Sequence, residues 1–269
     1  MPRQIIPFIL LTFCVATACR KKSGVSPKDL PPMLDSIRSI YMISDAAGIL
    51  YNPGVSSSAY FSYQGNRITR RNGGTLPVPN VSGVAGIYSQ EVYDTVLYQG
   101  NRIILETHTR LNVTVPVNKR ELILENGRIV KKIYFSNLSD HKDTAFYFYD
   151  AANRISRKEL RNSDRTLTQV FTFDQQGNLQ SIRSTLQING QAKPNFVEDE
   201  SFQHYDNRPN SLKGYWMWDD LYYRSLSRNN FSKYDFLKTY ESMNGQSMEA
   251  GGNEWTLVPH ANGYIDYGR

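Results

Sequence analysis

Cysteine is nearly missing from this 269-residue chain. There are two, Cys14 and Cys19, and both lie at the extreme N-terminus. Cys14 sits inside an apolar segment that export would remove. The domain that follows Cys19 then has no thiol pair to oxidise, so its core alone must hold it together. Histidine is equally thin. His108, His141, His204 and His260 are scattered, with no two at metal-ligand spacing, so no metal and no cofactor is expected. There is no Gly-x-Ser-x-Gly elbow and no phosphate-cradling glycine loop, which argues against the common hydrolase and nucleotide chemistries. Charge of one sign is also lacking. Lys and Arg number 31 against 25 Asp and Glu, a formal +6, and the densest basic block is Arg20-Lys-Lys22, so nucleic-acid binding is disfavoured. Asp219 and Asp220 are adjacent and do not face each other on a helix, a poor start for a paired-carboxylate glycosidase. No catalytic residue is assigned.

The N-terminus reads as an export signal over residues 1–18. Arg3 supplies the positive start, and Ile5 to Val15 form an apolar run too short to span a bilayer. Ala16-Thr-Ala-Cys19 has the form of a lipobox, which makes Cys19 the lipidated first residue of the mature chain. The rival reading is an ordinary secretory signal cleaved after Ala18. Residues 19–35, with prolines at 27, 31 and 32, read as a flexible tether. Residues 36–269 read as one β domain.

What is abundant is tyrosine, 18 residues, beside 12 Phe. Aromatics favour a half-buried pleated surface, and a tyrosine there can keep its hydroxyl wet. They fall in a repeat. Phe146-Tyr-Phe-Tyr-Asp-Ala-Ala-Asn-Arg-Ile155 is an aromatic strand, an Asp, a polar turn and an aliphatic residue that opens the next strand. Val170 to Leu179 repeats it, and Phe202 to Leu212 repeats it in degraded form. Shorter versions end at Ile68, Ile103, Ile129 and Ile265. From Ile103 to Leu179 the closing residues fall 24 to 26 apart, the sign of stacked supersecondary units. Alternation puts Phe171 and Phe173 on one face and Val170 and Thr172 on the other. Asn126-Gly127 is the strongest hairpin signal. Strands are also expected at Ile103–Thr107 and Arg110–Val115, a first hairpin in Ser39–Tyr51, and a long loop marked by Asn72-Gly-Gly74 and Pro77-Val-Pro-Asn80. The repeat aspartates Asp150, Asp174 and Asp206 read as turn caps rather than calcium ligands, since each turn offers one carboxylate. His204 and Asp206 share a strand face in this reading and occupy ordinary repeat positions.

The pattern aromatic-x-Tyr/Phe-Asp-x-x-Gly/Asn-Asn/Arg-Ile/Leu resembles the YD repeat, also called the Rhs-type repeat, over about residues 58–269. Tyr205-Asp-Asn-Arg-Pro-Asn-Ser-Leu-Lys-Gly214 and Leu226-Ser-Arg-Asn-Asn230 resemble a motif of small YD-repeat lipoproteins of Gram-negative envelopes, most of which are domains of unknown function. The resemblance implies an outer-membrane lipoprotein on the periplasmic or surface face. Large Rhs-type proteins wind many repeats into a closed shell; about seven are too few for that.

The expected fold class is all-β: an antiparallel twisted sheet or partial barrel of YD-type hairpins with one short inserted helix. That helix is read at Trp216–Leu226 from the spacing of Trp218, Leu221, Tyr222 and Leu226. The stripe leaves Trp216 and Tyr223 as the expected exposed pair, seven residues apart and so on one face. The expected role is a non-catalytic envelope module that touches the membrane through its lipid and binds a glycan or an envelope protein through Trp216 and Tyr223. An envelope glycan hydrolase, or an immunity or adaptor protein of an Rhs-type toxin system, is the alternative.

Overall fold

Five turns of the repeat, those before Ile68, Ile103, Ile129, Ile155 and Leu179, close hairpins that join edge to edge; the turn before Leu212 leads into the helix segment instead of opening a strand, and the one before Ile265 closes a separate small hairpin. The computed structural model describes residues 33–43, 50–51, 57–77, 86–115, 117–137, 140, 142–242 and 245–268. The export signal, Cys19, the tether up to residue 32 and the break at Asp45–Gly48 lie outside the described residues. The strands are β1 (Ser36–Arg38), β2 (Leu50–Tyr51), β3 (Ser58–Gln64), β4 (Arg67–Pro77), β5 (Gly86–Gln99), β6 (Arg102–Thr109), β7 (Val117–Glu125), β8 (Arg128–Ser136), β9 (Lys142–Tyr149), β10 (Ile155–Arg161), β11 (Arg165–Phe173), β12 (Leu179–Ile188) and β13 (Phe196–Pro209). Helix α1 (Asp219–Leu226) follows, then β14 (Asn229–Ser242), β15 (Gly245–Glu254) and the small hairpin β16 (Val258–Pro259) and β17 (Ile265–Asp266). From β3 to β15 each strand pairs antiparallel with the next, β1 borders β3, and β2 runs parallel to β5. Among the described residues no strand joins β1 to β15, so the sheet is open. The all-β class with one short helix holds.

The repeat has a physical basis in this register. All seven closing aliphatics, Ile68, Ile103, Ile129, Ile155, Leu179, Leu212 and Ile265, are buried in one core. The aromatic that ends one repeat's strand reaches back to the previous repeat. Tyr98 Oη donates to the Ile68 carbonyl at 3.1 Å, Tyr149 Oη to the Ile129 carbonyl at 2.8 Å, and Tyr205 Oη to the Leu179 carbonyl. Burial raises the pKa of all three phenols, that of Tyr149 to about 12. These hydroxyls are donors inside the fold and not wet groups on an open sheet. The arginine of the turn packs forward over the next repeat's aromatic ring. Arg67 lies over Tyr98, Arg128 over Tyr149 and Arg154 over Phe173, at 5.1, 4.7 and 5.4 Å from the ring centroids. Tyr, Arg and the closing aliphatic are thus three contacts of one seam between neighbouring hairpins. The Asp caps the turn as expected: Asp150 Oδ1 accepts from Arg154 N and Asp174 Oδ1 from Asn178 N, both at 2.8 Å. Asn126 and Gly127 both have positive φ, 52° and 77°, which a two-residue hairpin of this hand requires.

Other expectations are corrected. Asn72-Gly-Gly74 is a bulge inside β4, with Gly73 at φ 101°. Tyr88 closes over Gly73 where a Cβ would stand, so glycine there serves close packing within a strand. Ser39–Tyr41 is a single 3-10 turn, and β2 joins β5 in parallel, so Ser39–Tyr51 is not a hairpin. Arg110–Val115 is irregular. Leu111 and Val113 there are 44% and 48% exposed, and alternation without a partner strand made no ladder. The helix begins at Asp219, not Trp216.

Curvature places the helix inside. Ten strand steps separate β3 from β13, roughly 48 Å if flat, whereas eight helical residues span about 12 Å. Yet Tyr215 and Trp218 pack edge-on against Phe61 of β3, Tyr222 against Tyr147 of β9, and Tyr223 against Phe202 of β13. The sheet must wrap around the segment to bring both regions to it.

If the tyrosine seam stabilises the array, Tyr149→Phe costs about 1 kcal/mol. Phe173 occupies the same repeat position without a hydroxyl, so Phe173→Tyr supplies the Ile155 carbonyl with a donor and adds up to about 1 kcal/mol. Urea denaturation with an unchanged slope reads both. An unchanged Tyr149→Phe, or a loss of stability in Phe173→Tyr, would refute the seam.

Candidate functional site

The helix enters the sheet with charge at its leading end. Asp219 and Asp220 occupy its first turn, where the unsatisfied N–H groups favour carboxylates. Trp218 is the N-cap residue and makes no side-chain cap. Alternation along the surrounding strands points Arg71, Asp94, Thr107, Arg120, Lys132 and Lys158 inward, toward that end. Arg71 and Asp94 face each other across β4 and β5, and Asp94 faces Thr107 across β5 and β6.

The result is a ring of ion pairs whose cations and Asp94 are largely buried and whose helix carboxylates are half-buried. Arg71 Nη1 donates to Asp220 Oδ1 at 2.8 Å, and its other terminal nitrogen bonds the second carboxylate oxygen. Arg120 Nη2 donates to Asp94 Oδ1 at 2.7 Å. Lys132 Nζ donates to Asp219 Oδ1 at 2.6 Å and to the Met217 carbonyl at 3.1 Å. Tyr134 Oη donates to the same Asp219 oxygen at 2.9 Å, and Trp218 Nε1 to Asp94 Oδ2 at 2.7 Å. Lys158 completes the set above the Tyr222 ring, 5.6 Å from its centroid. Burial on its own would raise both aspartates. Arg120 and Arg71 hold Asp94 below the usual carboxylate range instead, and Lys132, Lys158 and Arg120 bring Asp219 down to about 2. Burial works against charge on Arg71 too, and Asp220 more than offsets it. Asp94 and Asp219 are therefore anions at neutral pH. They are bound to donors in fixed geometry and offer no proton to a reacting group.

A second cluster fixes the helix's trailing end. Asn210 Nδ2 donates to the carbonyls of Arg224 and Ser227 at 2.6 and 2.8 Å, satisfying groups that the last turn leaves open. Asp206 Oδ1 accepts from the backbone N–H of Arg208 and of Asn230. The Arg224 guanidinium sits 4.2 Å from the ring centroids of Phe231 and Trp255 and donates to the Tyr41 and Phe231 carbonyls. Tyr205–Gly214 and Leu226–Asn230, the stretches that resemble the lipoprotein motif, act here as framework.

Tyr223 is 1% exposed, and its hydroxyl lies 2.6 Å from the donor Gln169 Nε2. Trp216 is half-buried against the core and precedes the helix. The expected exposed aromatic pair is therefore not formed. With Trp216 outside the helix, a seven-residue spacing no longer places the two on one face. Cys19 lies outside the described residues. His204 has φ 55° within β13, just before its register shift, and meets Glu254 at 3.1 Å, while Asp206 turns to Asn230, so the two are not a pair. No cluster of three or more His, Cys, Asp or Glu side chains that could hold a metal occurs among the described residues. The ring itself went unread in the sequence, although Arg120 beside Leu122 and Lys132 beside Tyr134 place cations at inward positions once the register is known.

No protein-family model matches the chain, and no curated protein does. Among solved structures, a porin-like protein from Bacteroides vulgatus is 10% identical, with 78% of this chain and 84% of that one covered and a TM-score of 0.48. A porin-like protein from Bacteroides uniformis is 6% identical, with 84% and 98% covered and a TM-score of 0.42. Likeness this low carries no argument about function.

Two outcomes follow from the ring. Asp219→Asn leaves Lys132 buried without its anion and costs on the order of 3–5 kcal/mol at neutral pH. Because the folded pKa of Asp219 is depressed, its contribution is full above about pH 4 and is lost as pH falls toward 2. The parent's urea midpoint therefore drops more steeply across that window than the variant's. Tyr223→Ala costs on the order of 3–5 kcal/mol, as loss of a packed aromatic does; an unchanged melt would return Tyr223 to the surface.

Proposed function

We propose that this chain is a non-catalytic, lipid-anchored interaction module of the cell envelope, held at the outer membrane. The observation that carries the reading is the interior ring. The carboxylates best placed for chemistry, Asp94, Asp219 and Asp220, are each bound to a cation of the sheet. Their arrangement secures a helix and presents no acid–base pair. The anchor rests on Ala16-Thr-Ala-Cys19 and the tether behind it. The YD-type resemblance is supported by the seam of Tyr, Arg and aliphatic contacts, which gives the repeat a structural reason. The same buried seam and ring leave recognition to the outer surface and edges of the sheet, not to Tyr223.

In cell fractionation, Cys19→Ala moves the chain from the membrane to the soluble fraction or leaves it uncleaved. Intact mass of the parent shows an acylated Cys19. A parent that begins at another residue with a free amine would overturn the anchor. Turnover of an envelope glycan or peptide by the purified chain would overturn the non-catalytic reading and favour the hydrolase.

A further inference from the structure

The two edges of the sheet are treated differently. The β1 edge is three residues long, and beside it Arg38 N donates to the Tyr267 carbonyl at 2.7 Å. The β15 edge is ten residues long, Gly-Gln-Ser-Met-Glu-Ala-Gly-Gly-Asn-Glu, and nine of the ten are exposed. It pairs with β14 on one side, and among the described residues no strand borders the other. An open edge is a template for another strand, and soluble proteins blunt such edges with Lys, Pro or covering loops. β15 has no Lys, no Arg and no Pro.

We propose that β15 docks on β15 of a second copy of this chain, antiparallel, so that one sheet runs through both. This gives the interaction module a partner and so builds on the reading above, but it makes no use of Cys19. The register is set by the residues. A two-fold axis normal to a continuous sheet places one residue opposite its own copy. Centring on Ala250 pairs residues 246–254 along their full length. Met248 then faces Gly252 of the partner subunit, Glu249 faces Gly251 of the partner subunit, and Gln246 faces Glu254 of the partner subunit. Centring on Glu249 is as long but sets two carboxylates directly opposite each other, which is unfavourable. Centring on Met248 or Gly251 shortens the ladder.

Apolar exposure supports the Ala250 register. Ala250 faces Leu237 across β14 and β15, and Leu237 is 45% exposed. Pairing at Ala250 extends these two into a row of four, Leu237 and Ala250 followed by Ala250 and Leu237 of the partner subunit, on one face. Met248, 72% exposed, lies on the same face and covers the glycine opposite. On the inner face Glu249 is already satisfied by the Tyr240 hydroxyl at 3.2 Å, so docking buries no unpaired charge there.

Single cysteines test the register, because residues 20–269 contain none. The full chain carrying Ala250→Cys, oxidised in the envelope, should run mostly as a disulfide-linked dimer. Directly opposed Cα atoms lie about 4.5–5.5 Å apart, within disulfide reach. Met248→Cys, on the same face and more exposed, would sit about 14 Å from its copy and should give about tenfold less. Equal yields from the two variants, or no dimer from Ala250→Cys, overturn the proposal. Light scattering of the detergent-extracted parent should show twice the protein mass of Ala250→Lys, which sets two like charges on the axis; a monomeric parent also overturns it. Failure here leaves membrane retention through Cys19 untouched, so the two readings are separately decided.

Discussion

The structure depends on one constraint: a long antiparallel sheet must curl tightly enough to bury its inner face on a helix of eight residues. Apolar contact alone would allow the helix to slide, since burial is non-directional. The ion pairs at its leading end do not. Arg71, Arg120 and Lys132 come from three different strands and meet the helix carboxylates and Asp94 in directed bonds. Taking such charges out of water is costly unless each is paired, and losing one partner costs more than the pair is worth. The ring therefore contributes position more than net stability. At the other end, Asn210 and the aromatic enclosure of Arg224 hold the last turn. Between them the segment has one place to sit, and the sheet one curvature.

The hairpin seam explains why the sequence repeats at all. A hairpin by itself is marginal in water. At the Tyr98 and Tyr149 steps the neighbours are joined by a tyrosine hydroxyl on a carbonyl, an arginine on a ring and an aliphatic side chain in the core. The steps where the tyrosine is replaced, at Leu124 and Phe173, keep the buried aliphatic and lack the hydroxyl. The array accordingly tolerates loss of the hydroxyl at Phe173, and of both hydroxyl and ring at Leu124, without breaking register, because the buried closing residues still fix which face is in.

The fold engages its inner charges and aromatics in its own construction. Phe146 and Phe148 on β9 show how even outward aromatics are covered: Lys131 and Arg161 lie over the first and Arg157 over the second. Among the described residues, stretch 246–254 of β15 is the long stretch of strand bordered by a neighbour on one side alone. That is a property of an open meander, which has two ends, and a closed barrel would not have it.

Alternation and turn chemistry are local, and the sequence by itself determined what depends on them. The all-β class, the Asn126-Gly127 hairpin, the capping role of Asp150 and Asp174, and a short helix near Leu221 were all legible, because two- and 3.6-residue periods and positive-φ turns need no distant partner. Where the expectation failed, a distant partner decided. Arg110–Val115 alternates and found no strand to pair with. Tyr223 falls off the expected helix stripe, yet it is buried, because the curled sheet brings Phe171 and Phe202 around to its side. Gly73 and Gly74 look like a loop and lie in a bulge because Tyr88 closes over Gly73. The ring of Arg71, Asp94, Arg120, Lys132 and Asp219 spans residues more than a hundred apart in sequence. Which charges meet there depends on strand register and sheet curvature together, and those were set only by the tertiary structure, because an ion pair acts across space while a sequence pattern reports only along the chain.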